Sequence, residues 1–282
     1  MDLLVVSDLD GTLLRSDRTL TARSIRVLNR AIDQGMGITI ATARSWFTAK
    51  PLVEALRLVM PVIVYNGAVV LRPSDGIRLV ENFLDPVVSA ELVAAGQRRR
   101  LPPFVSGFGG EGEETFVHSA PVNRGQRRLL GQRTSVNDPR LRYDPKVKPP
   151  QRVVSVQFIA PRQDLEDLVA WVGETFGDQV ATALSHDVYL PGNWQFQVYH
   201  PRANKGDMVR WVADGHGVPL EHVMVVGDGR NDLPMFAVAG RRLAVANADP
   251  DVLAAADEVL PANDSDGVAS LVERLLQGPA TA

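Results

Sequence analysis

From residue 3 to residue 67 the chain alternates two hydrophobic periods, and this alternation restricts the fold more than any other feature. Residues 3–6 are a short, unbroken apolar run, the pattern of a buried strand over 3–7, and Gly11 is where such a strand must break. Residues 21–34 carry Ile25, Leu28 and Ile32 at helical spacing and stop at Gly35. A second strand is predicted over 37–41, a second helix over 45–58 and a third strand over 61–65, ending in Asn66-Gly67. Strand, helix, strand, helix, strand in this order predicts an α/β core built on a doubly wound parallel sheet with helices on both faces.

The rhythm then changes. Residues 84–200 read as helix 87–100, strand candidates at 104–107 and 115–119, a polar stretch over 121–150, strand 152–160, helix 165–176, and strands at 179–184 and 195–200. Short strands mixed with helices predict an inserted α+β cap domain. The α/β rhythm resumes with helix 205–214, strand 222–226, helix 232–239, strand 243–245 and helices 250–256 and 266–276, followed by a tail expected to fray. The expected division is therefore a Rossmann-like core of residues 1–83 and 201–282, interrupted by a cap of residues 84–200. The polar stretch concentrates Arg124, Arg127, Arg128, Arg133, Arg140, Arg142, Lys146 and Lys148 against Asp138 and Asp144. Two readings stay open for it: a solvated surface, or a basic rim that attracts an anionic substrate.

Chemistry-bearing residues collect at predicted strand ends, which is where open α/β sheets bind ligands. The first strand ends in Asp8-Leu9-Asp10-Gly11-Thr12. Two acids there fit a magnesium site, an acid/base pair or both, although an Asp-Gly turn alone has the same look. The second strand ends in Thr42-Ala43-Arg44, where a hydroxyl and a backbone N–H suit a phosphate oxygen or merely cap a helix. Asn66-Gly67-Ala68 is either a plain turn or an amide beside a substrate. Lys205 opens a helix, an electrostatically poor place for a cation, and is one of four lysines among 30 basic residues. Val223-Met224-Val225-Val226 runs into Gly227-Asp228-Gly229-Arg230-Asn231-Asp232. If this strand neighbours the first, Asp8, Asp10, Asp228 and Asp232 share one crevice, and only a divalent cation together with Lys205 makes that tolerable. Oxygen donors without Cys or His select Mg2+ over zinc.

Composition excludes several classes. A net charge of -3 leaves no nucleic-acid footprint. No apolar run is long enough to span a bilayer, so no membrane partner is expected. No cysteine is present, which removes disulfides and thiolate metal sites and fits a cytoplasmic enzyme. No basic segment followed by a long apolar one precedes the first strand, which also predicts a cytoplasmic protein. His118, His186, His200, His216 and His222 are scattered without metal spacing.

Taken in order, these motifs resemble those of the haloacid dehalogenase superfamily of phosphohydrolases, in particular the Cof-type group with an α/β cap of the second type. The likeness spans essentially the whole chain. It implies that Asp8 is the nucleophile, that Asp10 is the general acid and then the base, and that Thr42, the Ala43 N–H and Lys205 hold the phosphoryl group. It implies Mg2+ on the Asp8 carboxylate, the Asp10 backbone carbonyl and Asp228, supported by Asn231 and Asp232. Arg44, Asn66, Gly67 and Asn231 are implied to touch substrate. The implied activity is hydrolysis of a small phosphorylated metabolite such as a sugar phosphate, in a monomer or homodimer, with the cap closing over the site. Transfer to another alcohol, as in a mutase, and non-catalytic binding of a phosphorylated ligand are the alternatives. Two departures stand out: Ala43 replaces the usual glycine of the second motif, and the segment before Lys205 is unusually aromatic. Asn193, Trp194, Gln195 and Gln197 in that segment either reach substrate or pack.

Overall fold

The unbroken apolar runs become strands covered on both faces: Leu4, Val5, Val6, Val225 and Val226 expose no surface. That is the pattern a parallel sheet between two helical layers demands. The structure, a computed structural model, describes residues 3–186 and 190–278. Most of the expected frayed tail lies outside the described residues. By contacts the chain divides into two compact units, Met1–Glu81 with Ala203–Ala282, and Asn82–Arg202.

The first unit opens with β1 (Leu4–Ser7), α1 (Ala22–Asp33), β2 (Gly37–Ile40), α2 (Trp46–Val53), β3 (Val62–Val64), β4 (Val69–Leu71) and β5 (Arg78–Glu81). The second unit contains α3 (Pro86–Arg98), β6 (Phe104–Phe108), β7 (Glu114–His118), α4 (Arg124–Ser135), β8 (Leu141–Tyr143), β9 (Arg152–Pro161), α5 (Arg162–Phe176), β10 (Ala181–His186) and β11 (Asn193–Tyr199). The first unit closes with α6 (Lys205–Gly215), β12 (Val223–Gly227), α7 (Leu233–Phe236), β13 (Arg241–Val245), α8 (Pro250–Ala255), β14 (Glu258–Leu260) and α9 (Gly267–Gln277).

Among the described residues the first unit holds a five-stranded parallel sheet in the order β14-β13-β12-β1-β2. From β1 the chain steps outward to β2. After the second unit it returns on the other side of β1 and steps outward from β12 to β14. The order therefore reverses between β1 and β12, and right-handed crossovers in opposite directions place helices on opposite faces. Consistent with two layers, α1 packs on α9, and α6 on α7.

Four expectations are corrected here. The third strand touches β2 through a single parallel bridge, Ala41 to Ile63, and turns into an antiparallel hairpin with β4 and β5 that the sequence reading left out. Helix α2 stops at Val53 rather than residue 58, because the Asn29 side chain donates to the Ala55 carbonyl and accepts from the Arg57 N–H. That one amide supplies the pairing a further helical turn would need. Helix α7 covers only Leu233–Phe236. The short edge strand β14 was unread, since Glu258–Leu260 is too brief to show a period.

In the second unit one six-stranded sheet, β10-β11-β9-β6-β7-β8, carries helices on both faces. Val156, Phe158 and Ala160 of β9 join Leu92 of α3 and Leu165, Leu168 and Val172 of α5 in one apolar core. Ile159 points the other way, to Phe104, Phe116 and Leu130 of α4. The period-2 alternation of β9 thus serves two layers. Helix α4 lies inside the polar stretch, to which the sequence reading assigned no element. It buries little apolar surface and is held by polar anchors: Asn123 accepts from the Gln126 N–H and donates to the Ile159 carbonyl, and Gln126 donates to the Pro102 carbonyl. The basic residues of this stretch divide. Arg140 and Arg133 turn inward onto Asp138 at 2.7 and 2.8 Å, whereas Arg124, Arg127, Arg142, Lys146 and Lys148 are exposed. Burial alone would raise the Asp138 pKa; hydrogen bonds and charge from Arg140, then Arg133, outweigh it and hold it far below the usual carboxylate range. The aromatic segment packs: Arg162 lies over the Trp194 ring, Gln157 donates to Gln195, Tyr199 donates to Gln197, and Asn193 is buried.

Candidate active site

Ser7 of β1 is in register with Val226 of β12, so the two acid-bearing strand ends lie side by side at the point where strand order reverses. The Asp8 N–H donates to the Val226 carbonyl at 2.8 Å. The turn that follows needs Gly11 twice over. Its φ is +78°, and a Cβ there would stand 2.4 Å from Asp228 Oδ2. Thr12, fully buried, donates to Asp228 Oδ1 at 2.6 Å, and Asn247 donates to the Gly11 carbonyl at 2.8 Å. The two loops are thereby fastened to each other.

Lys205 enters from the first turn of α6. The helix can approach α7 this closely because residue 206 is glycine: a Cβ there would sit 2.2 Å from the Pro234 carbonyl oxygen. Lys205 is completely buried and donates to Asp8 Oδ1 at 2.5 Å and to Asp232 Oδ1 at 2.6 Å. Asp232 Oδ2 in turn accepts the N–H groups of Asp228 and Gly229 at 2.9 and 3.0 Å. Asp232 is saturated by donors and shapes the loop that presents Asp228. Asp8 Oδ2 accepts no hydrogen bond among the described residues.

The electrostatics follow from burial. Desolvation pushes the Asp8 carboxyl well above its ordinary range; Lys205 opposes the rise, and Asp232 and Asp228 add to it. Desolvation also raises Asp228, to about 6, against the Thr12 hydrogen bond and with repulsion from Asp232. For Lys205 burial would favour the neutral amine, but the Asp232 and Asp8 charges and their hydrogen bonds outweigh it and hold the ammonium above the ordinary lysine value. Lys205 thus bridges Asp8 and Asp232 directly and acts on Asp228 through its charge. Oxygen atoms of Asp8, Asp228 and Asp232 lie within 4.8 Å of one another, an all-oxygen donor set suited to a hard divalent cation. The residues present fit such an ion.

Of the four acids, Asp8, Asp228 and Asp232 form the tight group, while Asp10 lies near enough for its charge to raise Asp228. The Asp10 carboxylate is outside the cluster, in a bidentate pair with Arg44: Nε donates to Oδ2 and Nη2 to Oδ1, both at 2.5 Å. Arg44, expected at the substrate, is thus engaged by Asp10. Thr42 is buried at the end of β2, where its hydroxyl accepts the Arg44 N–H at 3.1 Å, and Ala43 beside it is exposed. Asn66 and Asn231 meet each other, Asn231 Nδ2 donating to Asn66 Oδ1 at 3.1 Å. Gly67 is buried, and a Cβ there would stand 2.3 Å from the Asn204 carbonyl oxygen. Its role is to let the residue before Lys205 come close. Two loop fasteners escaped the sequence reading. Thr12 stood inside a quoted motif without a role. Asn247, two residues beyond the end of β13, follows the same strand-end rule that found the acids.

Residues 5–272 match the family model of haloacid dehalogenase-like hydrolases. The chain is 27% identical to the 5-amino-6-(5-phospho-D-ribitylamino)uracil phosphatase of Bacillus subtilis, over 97% of this chain and 98% of that protein. It is also 27% identical to the pyridoxal phosphate phosphatase of Escherichia coli, over 95% and 97% respectively. The crystal structure of a haloacid dehalogenase-like hydrolase from Bacteroides thetaiotaomicron shares the fold, with a TM-score of 0.80 at 23% identity over 98% of this chain and 100% of the other. A family match that runs from the first strand to the last helix takes in every strand end described above, and the chain belongs to the haloacid dehalogenase-like hydrolases.

Proposed function

We propose that the chain is a Mg2+-dependent phosphatase that hydrolyses a small phosphorylated metabolite, a sugar phosphate in the first instance, through a phosphoryl group carried on Asp8. The observation that carries this reading is the fully buried Lys205 bridging Asp8 and Asp232 beside Asp228. A lysine with no exposure and two carboxylate partners has charge to neutralise, and a dianionic phosphoryl group adds to that need. Asp8 attacks phosphorus, and the bond to the leaving oxygen breaks as Asp10 gives it a proton. Water then attacks phosphorus, Asp10 takes the proton back, and the Asp8–phosphorus bond breaks to release phosphate. Thr42, the Ala43 N–H and Lys205 hold the phosphoryl oxygens, while Asn66 and Asn231 face the substrate. Asp8, Asp228 and the Asp10 carbonyl would hold Mg2+, which when bound offsets the charge of the transferring group. The unit Asn82–Arg202 is assigned the choice of substrate, because relatives similar over nearly the whole chain are named for different phosphate esters.

Phosphate release is to be measured across a panel of alkyl and aryl phosphates with and without Mg2+, for the wild type and Asp8→Asn. Turnover by the wild type alone, and only with the metal, is expected. Metal-independent turnover or full activity of the variant overturns the mechanism. Capture of the phosphoryl group by added alcohols in preference to water would make the enzyme a transferase instead, and tight binding without turnover would make it a binding protein.

A further inference from the structure

We propose that Arg44 is the positioning residue of Asp10, holding it for proton transfer, and does not bind substrate. The inference rests on the phosphatase reading above. The backbone around Asp10 is fixed on both sides: Asp8 is tied to Val226, and the Gly11 carbonyl to Asn247. What this leaves undetermined is the Asp10 side chain, whose carboxylate is 45% exposed and lies outside the Lys205 cluster. Arg44 supplies the missing constraint. Its Nε and Nη2 meet the two carboxylate oxygens, which sets the position and the plane of the acid together.

Arg44 is itself built in. Its N–H donates to the Thr42 hydroxyl, and its carbonyl accepts the Tyr65 N–H at 2.8 Å. Tyr65 has a φ of +52°, a conformation unfavourable for a tyrosine. A strained turn thus helps hold the arginine that holds the acid. The pair is partly exposed, 21% for Arg44 and 45% for Asp10, and its bidentate geometry contributes to folding. The fixed plane also serves proton transfer, because a general acid must meet the leaving oxygen within hydrogen-bond reach.

The distinction is testable through the leaving group. An alkoxide needs the proton that Asp10 delivers; the weakly basic nitrophenolate hardly does. Arg44→Ala, Arg44→Lys, Asp10→Asn and the Asp10→Asn/Arg44→Ala double variant are to be assayed with para-nitrophenyl phosphate and with the fastest alkyl phosphate of the panel. Melting temperatures monitor folding. For Arg44→Ala we expect kcat on the alkyl ester to fall on the order of a hundredfold, with the aryl ester much less affected and both KM values nearly unchanged. Arg44→Lys stays impaired, because an ammonium cannot fork a carboxylate. In the Asp10→Asn background the removal of Arg44 costs nothing further. Equal losses on both esters, a raised KM at unchanged kcat, or additive losses in the double variant overturn the proposal while leaving the phosphatase reading intact. A wild type that turns over neither ester overturns the phosphatase reading, and this proposal with it.

Discussion

Residue by residue, the site is a problem in charge. Asp8, Asp228 and Asp232 are brought together by neighbouring strand ends, and Lys205 bridges Asp8 and Asp232. Removing water from carboxylates favours their protonated forms, and Asp228 accordingly rises to about 6 from an ordinary 3.8. The sign of the linkage follows. Between those values the folded protein binds more protons than the unfolded chain, so the metal-free protein loses stability as pH rises from about 4 to about 6. The raised Asp8 acts in the same direction. A divalent cation favours the ionised acids and reverses the dependence. Thermal melts from pH 4 to 7 with and without Mg2+ should show melting temperature falling with pH in the metal-free protein and a metal-induced gain that grows with pH. A gain independent of pH would mean that the cation does not sit on these acids. The types and order of these residues were legible in the sequence because strand ends mark themselves by apolar runs and glycines. Where Asp10 points was not, because a side-chain rotamer depends on a partner 34 residues away.

At the scale of elements, what was legible was what has a period. Strands β1, β2, β12 and β13 of the parallel sheet and helices α1, α3, α5, α6 and α9 stood out by hydrophobic pattern. Helix α4 did not, because polar anchors and buried ions stand in for an apolar face. Arg133 and Arg140 clamp Asp138, whose side chain is 4% exposed, and Arg140 also reaches Glu114 at 3.2 Å. Asp138→Ala leaves two arginines facing an unfilled site and should destabilise the protein by about 3 kcal/mol or more. Because the folded pKa is depressed, the contribution of Asp138 is complete above an ordinary carboxylate pKa of 3.8 and disappears as pH falls below it. Denaturant titration at pH 7 and pH 3 should find the gap between wild type and variant narrowing at the lower pH. An equal gap at both would show that packing, not charge, is what Asp138 supplies.

For the molecule as a whole, one compact unit is inserted into another between residues 81 and 203. The inserted unit has its own apolar core around Phe158 and Phe196, and every strand of its sheet comes from within it. Residues 82–202 expressed alone should therefore fold, giving a cooperative thermal transition and protected amides in β9 and β11; a featureless melt would show that the unit needs its host. By itself the sequence determined the fold class and pointed to the acids and the lysine as candidates, because both are written in local pattern: apolar runs, helical spacing, glycines at strand ends. Only the tertiary structure decided that Lys205 bridges Asp8 and Asp232, that Asp10 pairs with Arg44, that Gly67 lets Asn204 come close, and that a polar stretch hides a helix. The physical reason is the same in each case. Hydrogen-bond partners, close approach and burial are relations between residues far apart in the chain, and no local pattern records them.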